Sequence, residues 1–262
     1  MRRRGSQVHD KRFRVAEVFG PTIQGEGRHI GTPCYFIRFA GCDYRCRWCD
    51  SPHAVLTEYV NEVPRISAME TWGKLKALPR GPRWVVFSGG NPALFDLKDL
   101  CALILGDGYN LMVETQGTVY NDWLRSADEI CVSPKPPSSG NMTTEGVLRE
   151  FLRELWGSSL GNPLNQTYLK VVVFDNEDYA YARSIHKTFE NLQMFISVGN
   201  EDPSLPTVGN PNPKPGTLPL TRDIVLDKMR WLMEKVANDV TMRNVRVTPQ
   251  MHVLAWGNER GR

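Results

Sequence analysis

Along the chain, short runs rich in β-branched and aromatic residues alternate with stretches whose apolar positions recur at helical spacing. Seven such runs predict strands: Cys34–Phe39, Trp84–Phe87, Leu111–Glu114, Glu129–Val132, Tyr168–Phe174, Met194–Val198 and Val245–Val247. Between them, Ser67 followed three residues on by Glu70 has the form of a capping box that opens a helix. Thr144–Trp156 sets Val147, Leu148, Phe151, Leu152 and Leu155 on one helical stripe, and Thr221–Ala237 shows the same period. Strands alternating with helices read as parallel βα units, so the expected fold is α/β, a partial (modified) βα barrel. At 262 residues a single domain over the whole chain is expected. It carries a basic N-terminal tail at about 1–12, including Arg2, Arg3, Arg4, Lys11 and Arg12, expected to be frayed and solvated. Six prolines and two glycines between Asp202 and Leu220 predict an irregular surface loop at about 202–220.

Polar or glycine-rich residues follow nearly every predicted strand: Gly41-Cys42, Ser88-Gly89-Gly90, Glu114-Thr115-Gln116-Gly117, Ser133-Pro134-Lys135, Asp175-Asn176, Gly199-Asn200 and Thr248-Pro249-Gln250. Any one of these is explained by the demands of a turn. Together, at the C-terminal ends of parallel strands, they would converge on one rim, where βα barrels bind ligands.

Composition narrows the class. With 41% hydrophobic and 23% charged residues and a net charge of +3, the chain is neither disordered nor built around a nucleic-acid surface. No apolar run approaches the ~20 residues of a membrane span, and the start lacks a signal-peptide core, so a cytoplasmic protein with no membrane partner is expected.

Six cysteines are present, and three of them, Cys42, Cys46 and Cys49, fall within eight positions. That clustering, in a loop after the first predicted core strand, points to metal rather than disulfides in a reducing compartment. Three thiolates can hold three irons of a cubane and leave the fourth without a protein ligand. S-adenosylmethionine (SAM) can chelate such an iron through its amino and carboxylate groups. A structural zinc site completed by His53 is the competing reading. Cys34, Cys101 and Cys131 lie in apolar patterns and are expected to be core residues.

The CxxxCxxC spacing, with Trp48 before the last cysteine, resembles the radical SAM superfamily. Ser88-Gly89-Gly90-Asn91-Pro92 resembles its GGEP element, with Asn91 where Glu is usual. Further segments, Pro21-Thr22-Ile23-Gln24-Gly25-Glu26-Gly27, Phe36-Ile37-Arg38, Pro249-Gln250-Met251-His252 and Trp256-Gly257, resemble the 7-carboxy-7-deazaguanine synthase family across nearly the whole chain.

The resemblance implies a carbon–nitrogen lyase on a partial barrel of the radical SAM type. Such an enzyme converts 6-carboxy-5,6,7,8-tetrahydropterin into 7-carboxy-7-deazaguanine with release of ammonia, toward queuosine or related 7-deazapurine nucleosides. It implies one [4Fe-4S] cluster per subunit on Cys42, Cys46 and Cys49, SAM, Mg2+, a flavodoxin or ferredoxin reductant and a homodimer. Carried over by residue, Ile23, Gln24, Gly25, Arg38 and Ser88 would bind substrate. Gly90, Ser133, Pro134 and Lys135 would bind SAM, and Ser51 would offer its hydroxyl to Mg2+.

Several of these positions also make physical sense. Arg38 presents a planar fork suited to a carboxylate. Gln24 and Glu26 flank Gly25 with amide and carboxylate groups that suit a pterin edge. Ser51 could instead cap a helix, with Asp50 competing for either role, and Lys135 could meet the SAM carboxylate. For His252, packing and lining a site are both open readings. An activase that installs a glycyl radical in a partner shares the cysteine loop, and a zinc-stabilised binding module is the reading from another class.

Overall fold

The computed structural model describes residues 11–157, 166–200, 221–257, 259 and 261, so residues 1–10 and the whole loop at about 202–220 lie outside it. The strands are β1 (Arg12–Ile23), β2 (Pro33–Phe39), β3 (Arg65–Ser67), β4 (Trp84–Gly89), β5 (Asn110–Thr115), β6 (Glu129–Val132), β7 (Thr167–Val173), β8 (Met194–Val198) and β9 (Arg246–Val247). They form one sheet in the order β3-β1-β2-β4-β5-β6-β7-β8-β9. From β2 to β9 every pairing is parallel, while β1 lies antiparallel to both β2 and β3. With β3 and β9 at the two edges, the barrel is open.

All seven expected strands are present within a residue or two, and β1 and β3 are additions. The segment RFRVAEVFGPTI of β1 interleaves charged residues with apolar ones and contains Gly20-Pro21, which reads as a turn. It also corrects the expected tail: Arg12 begins β1 and pairs with Glu70 at 2.7 Å, and Lys11 pairs with Asp96. Both ion pairs are exposed and contribute little, so the β1 ladder is what anchors this end.

The helices are α1 (Pro52–Val55), α2 (Thr57–Glu62), α3 (Ala68–Lys76), α4 (Lys98–Gly106), α5 (Glu145–Trp156), α6 (Asn176–Thr188), α7 (Thr221–Ala237) and α8 (Met251–Trp256). The capping box is formed: the Ser67 hydroxyl accepts from the Glu70 backbone, and the Glu70 carboxylate accepts from the Ser67 backbone. Thr144 caps α5, which buries Leu148, Phe151, Leu152 and Leu155 and leaves Val147 exposed. The link from β5 to β6 contains a single 3-10 turn, Asp122–Ser126.

Strand alternation divides the side chains into two layers. Tyr35, Ile37, Phe39, Val85, Phe87, Leu111, Val113, Leu169 and Val171 belong to the large core shared with the helices. The opposite faces look into the barrel, where Cys34, Phe36, Val86 and Met112 form one small cluster and Cys131, Tyr168 and Phe195 another. Farther along the same inward rows, toward the strand ends, come Arg38, Ser88, Glu114 and Lys170. The interior therefore changes from apolar to polar within one strand length.

The β1–β2 connection folds back into this interior. Its neck is closed by Gln24 N donating to Thr32 O and Gly31 N donating to Gln24 O, both at 2.8 Å. Arg28 lies over the Tyr168 ring at 4.8 Å and donates to Glu129 and Gln193 at 3.0 Å each. Glu26 pairs with the buried Lys170 and accepts from Gln250, while Lys170 lies 3.7 Å from Glu114. Burial disfavours the charge on Glu26, but Lys170, His252 and the hydrogen bonds from Lys170 and Gln250 outweigh it and hold its carboxyl at about 2. Burial likewise opposes charge on Lys170, yet Glu114 and Glu26 keep its ammonium protonated well above the ordinary lysine range.

Because the folded carboxyl of Glu26 sits below its ordinary value of 4.5, its contribution is complete above pH 4.5 and is lost as pH falls toward about 2. That contribution is on the order of 3 kcal/mol. Urea unfolding at pH 6 and pH 3 should show a smaller acid-induced loss in Glu26→Gln than in wild type, from a lower stability at pH 6. An unchanged difference between the two pH values would remove Glu26 from the acid response.

Candidate functional site

The polar ends of the inward rows line a cavity of about 650 Å³. Its wall takes Arg38 from β2, Ser88-Gly89-Gly90 from the end of β4, Glu114-Thr115-Gln116 from β5, Ser133 and Lys135 after β6, and Lys170 from β7, together with Asn200 and Gln250. The expected convergence of strand ends thus takes place. Asp175 is an exception, since its carboxylate caps α6 by accepting from the backbones of Glu177 and Asp178 at 2.9 Å.

Cys42, Cys46 and Cys49 share one side of the cavity, and none is in a disulfide. Burial raises all three thiols; for Cys42, Asp43 adds to the effect, whereas Lys135 offsets part of it at Cys46. Cys49 reaches about 12, from burial first and then the neighbouring Asp50. Among the described residues, no three His, Cys, Asp or Glu side chains are grouped tightly enough for a single metal ion. His53 turns away to Glu17, with Nε2 3.2 Å from Oε1. Three thiols that line one cavity suit a cluster bound at one iron per thiolate, the metal displacing each proton.

The loop that carries the thiols has little regular structure and is held by its surroundings. Trp48 Nε1 donates to Ser138 Oγ at 2.9 Å, Ser138 Oγ donates to the buried Asp178 at 2.6 Å, and the Trp48 ring packs 5.0 Å from Phe174. Arg47 N donates to Ser139 O at 3.0 Å. Lys135 Nζ donates to Ser133 Oγ at 2.9 Å and lies 5.9 Å from the Trp48 ring.

Just past the third thiol, Arg38 Nη1 donates to Ser51 Oγ at 3.1 Å and Nε reaches Glu17 at 3.4 Å. Ser51 Oγ donates in turn to Asp50 at 3.1 Å. Ser51 occupies the position before α1, but its hydroxyl does not cap that helix and instead faces the arginine. Gln24 is buried, donates to Glu114 at 3.3 Å and accepts from Glu26 N at 3.2 Å. Ile23 and Gly25 line the same cavity. A Cβ on Gly25 would lie 2.2 Å from Nδ1 of His252, which shows how closely this turn and α8 approach. His252 thus lines the cavity. Pro134 is buried and does not line the cavity.

Three polar groups at or beside the site, Lys170, Glu17 and Asp43, are not singled out by the sequence. Lys170 interrupts the apolar run of β7, and a lysine in such a run is the kind of exception that needs a partner. Glu17 and Phe19 come from the unexpected β1. Asp43 follows the first cysteine, but nothing in its spacing shows that it receives Gln116, one of the expected strand-end residues, which also lies on the Cys42 sulfur.

Among the described residues no helix is long and apolar enough to cross a membrane. No family model matches the chain. Its fold resembles that of QueE from Escherichia coli, with a TM-score of 0.61 at 20% identity, covering 95% of this chain and 100% of that one. It also resembles Streptococcus suis SuiB bound to S-adenosylmethionine, with a TM-score of 0.54 at 14% identity over 82% of this chain and 50% of that one. In sequence, it is 38% identical over 250 residues to the 7-carboxy-7-deazaguanine synthase of Bacillus cereus, covering 94% of this chain and 98% of the relative. It is 39% identical over 251 residues to that of Bacillus subtilis, covering 94% and 97%. With identity at this level over nearly the full length of both chains, and with the cysteine loop and the strand ends facing one cavity, this chain belongs to the 7-carboxy-7-deazaguanine synthase family.

Proposed function

We propose that this chain converts 6-carboxy-5,6,7,8-tetrahydropterin into 7-carboxy-7-deazaguanine with release of ammonia, as a radical SAM lyase serving 7-deazapurine nucleosides such as queuosine. The observation that carries the reading is one cavity lined by three thiols, an arginine fork and a buried amide–carboxylate–ammonium group. Cys42, Cys46 and Cys49 would hold a [4Fe-4S] cluster. When bound with SAM, that cluster supplies a 5'-deoxyadenosyl radical. The chain's own residues do the placing, and placing decides the outcome, because a primary carbon radical attacks almost any nearby C–H bond.

On this reading the Gly90 backbone, Ser133, Lys135 and the turn fixed by Pro134 hold SAM. Arg38 receives the substrate carboxylate, and Ser88, Ile23, Gln24 and Gly25 hold the ring. Gln24 and Glu114 together offer an amide and a carboxylate to a heterocycle's donor–acceptor edge, and Lys170, 3.7 Å away, holds Glu114 in place. The Ser51 hydroxyl beside the Asp50 carboxylate is a hard-oxygen pair of the kind Mg2+ accepts alongside its waters. Arg38 lies on the same hydroxyl, so a substrate carboxylate would be drawn to the guanidinium and the ion together. A flavodoxin or ferredoxin as reductant, a cytoplasmic setting and a homodimer complete the proposal. Exposed Ile224, Leu226 and Met233 on α7 offer apolar surface to a second subunit.

The test is anaerobic reconstitution with iron and sulfide, then incubation with SAM, reductant, Mg2+ and 6-carboxytetrahydropterin, read by product mass. Absence of 7-carboxy-7-deazaguanine, with a glycyl radical forming on a copurified protein, would establish the activase reading instead. Cys46→Ala should lose both the four-iron signal and SAM cleavage. Losing a charge-assisted hydrogen bond to a buried carboxylate costs ~2–5 kcal/mol, so Arg38→Ala should drop kcat/KM by roughly 30-fold or more. Its uncoupled SAM cleavage should persist, and a pterin without the 6-carboxylate should lose little more in this variant. Ser51→Ala should lower turnover and flatten its Mg2+ dependence while iron content stays at the wild-type level; an unaltered Mg2+ titration would move the ion to Asp50 or elsewhere.

A further inference from the structure

Asn91 stands where the superfamily element has Glu, and its side chain is fully buried away from the cavity wall. All of its hydrogen-bonding capacity is used. Oδ1 accepts from Ala93 N at 3.2 Å and from Thr115 Oγ1 at 2.9 Å. Nδ2 donates to Asp43 Oδ1 at 2.9 Å and reaches Thr118 Oγ1 at 3.4 Å. Its backbone N donates to Gly41 O at 2.8 Å. A carboxylate could keep the first two contacts but has no proton for Asp43.

Asp43 is the residue after Cys42, on the exposed outer part of the cysteine loop. Besides Asn91 it receives the Gln116 amide and the Thr118 hydroxyl, both from the end of β5. The same Gln116 amide nitrogen lies 3.5 Å from Cys42 Sγ. The backbones meet just as closely, since a Cβ on Gly90 would lie 2.0 Å from Gly41 O. The glycine turn and the Cys42 end of the loop therefore form one packed unit, joined through the backbone by Asn91 N on Gly41 O and through side chains by Asn91 on Asp43.

We propose that Asn91 and Asp43 are a positioning pair: the buried amide fixes the Asp43 carboxylate, and through it the Cys42 end of the cysteine loop and the Gln116 amide on the Cys42 sulfur. The pair explains the departure from Glu, since an acidic residue here would face Asp43 with like charge. Asn91 is enclosed and Asp43 is exposed, so a repulsive pair would be relieved by movement of the loop and not by unfolding. The inference rests on the cluster reading of the three cysteines. Amides donating to cluster sulfurs and fixing ligand orientation are general controls on such centres.

The experiment compares wild type, Asn91→Asp, Asp43→Asn and the double exchange, each reconstituted anaerobically and desalted. The readouts are iron per chain, the EPR spectrum of the reduced cluster, equilibrium binding of SAM and thermal unfolding. Asn91→Asp should lose iron, show an altered spectrum and bind SAM about tenfold or more weakly, the change expected from a lost hydrogen bond to a charged group. Its unfolding temperature should change little. The double exchange reverses donor and acceptor and should return SAM binding to within about threefold of wild type, a coupling that independent sites do not show. If Asn91→Asp cannot be purified, a soluble, iron-loaded double exchange supports the pair, and a double exchange that also fails overturns it. Normal loading and SAM binding in Asn91→Asp, or a double exchange no better than that variant, likewise overturns it. Wild type that holds no four-iron cluster would overturn the cluster reading and this inference together, which separates the two failures.

Discussion

One ammonium group holds the inside of this protein together. Lys170 brings β7 to Glu26 in the β1–β2 connection and to Glu114 on β5, and Glu26 in turn accepts from Gln250 at the start of α8. These four residues are spread from near one end of the chain to near the other. The cost of burying an ammonium makes the arrangement all-or-none, because each carboxylate removed leaves charge without compensation. The apolar layer beneath, with Phe36, Met112 and Tyr168, supplies cohesion but little direction. The ion group supplies the direction, aiming Gln24 and Glu114 at the cavity.

The parallel part of the sheet was legible in the sequence because its strands are buried on both faces and read as short, nearly continuous apolar runs. β1 was not, since its inner face carries polar groups that belong to the site and its outline is broken by Gly20-Pro21. The same logic governs the site. The cysteines, Arg38 and the glycine pair declare themselves by spacing or by resemblance, and the cavity gathers them. The groups that hold them in place, Glu17, Asp43 and Asp178, do not. Each is a common polar residue whose meaning lies in a partner tens of positions away, and one sequence carries no trace of that distance.

The cysteine loop illustrates how such a site is rigidified without regular structure. It has almost no internal ladder, only Cys49 N donating to Cys46 O at 3.0 Å. Its shape comes from two flanks: the β4 and β5 ends at the Cys42 side, and the 137–141 turn at the Trp48 side, where buried Asp178 organises Ser138. Loops carry function when a rigid scaffold positions them, and here that scaffold is other strand ends.

The open edge between β3 and β9 carries a further consequence. A closed eight-stranded barrel has an interior only wide enough for its own side chains to fill. This sheet is not bound by that relation among strand number, shear and diameter, because its first and last strands never meet. Its bore is set instead by the folded-in β1–β2 connection that occupies one end, leaving about 650 Å³ at the other. A lineage built this way can resize its chamber by recutting the stopper, with no strand gained, lost or re-registered.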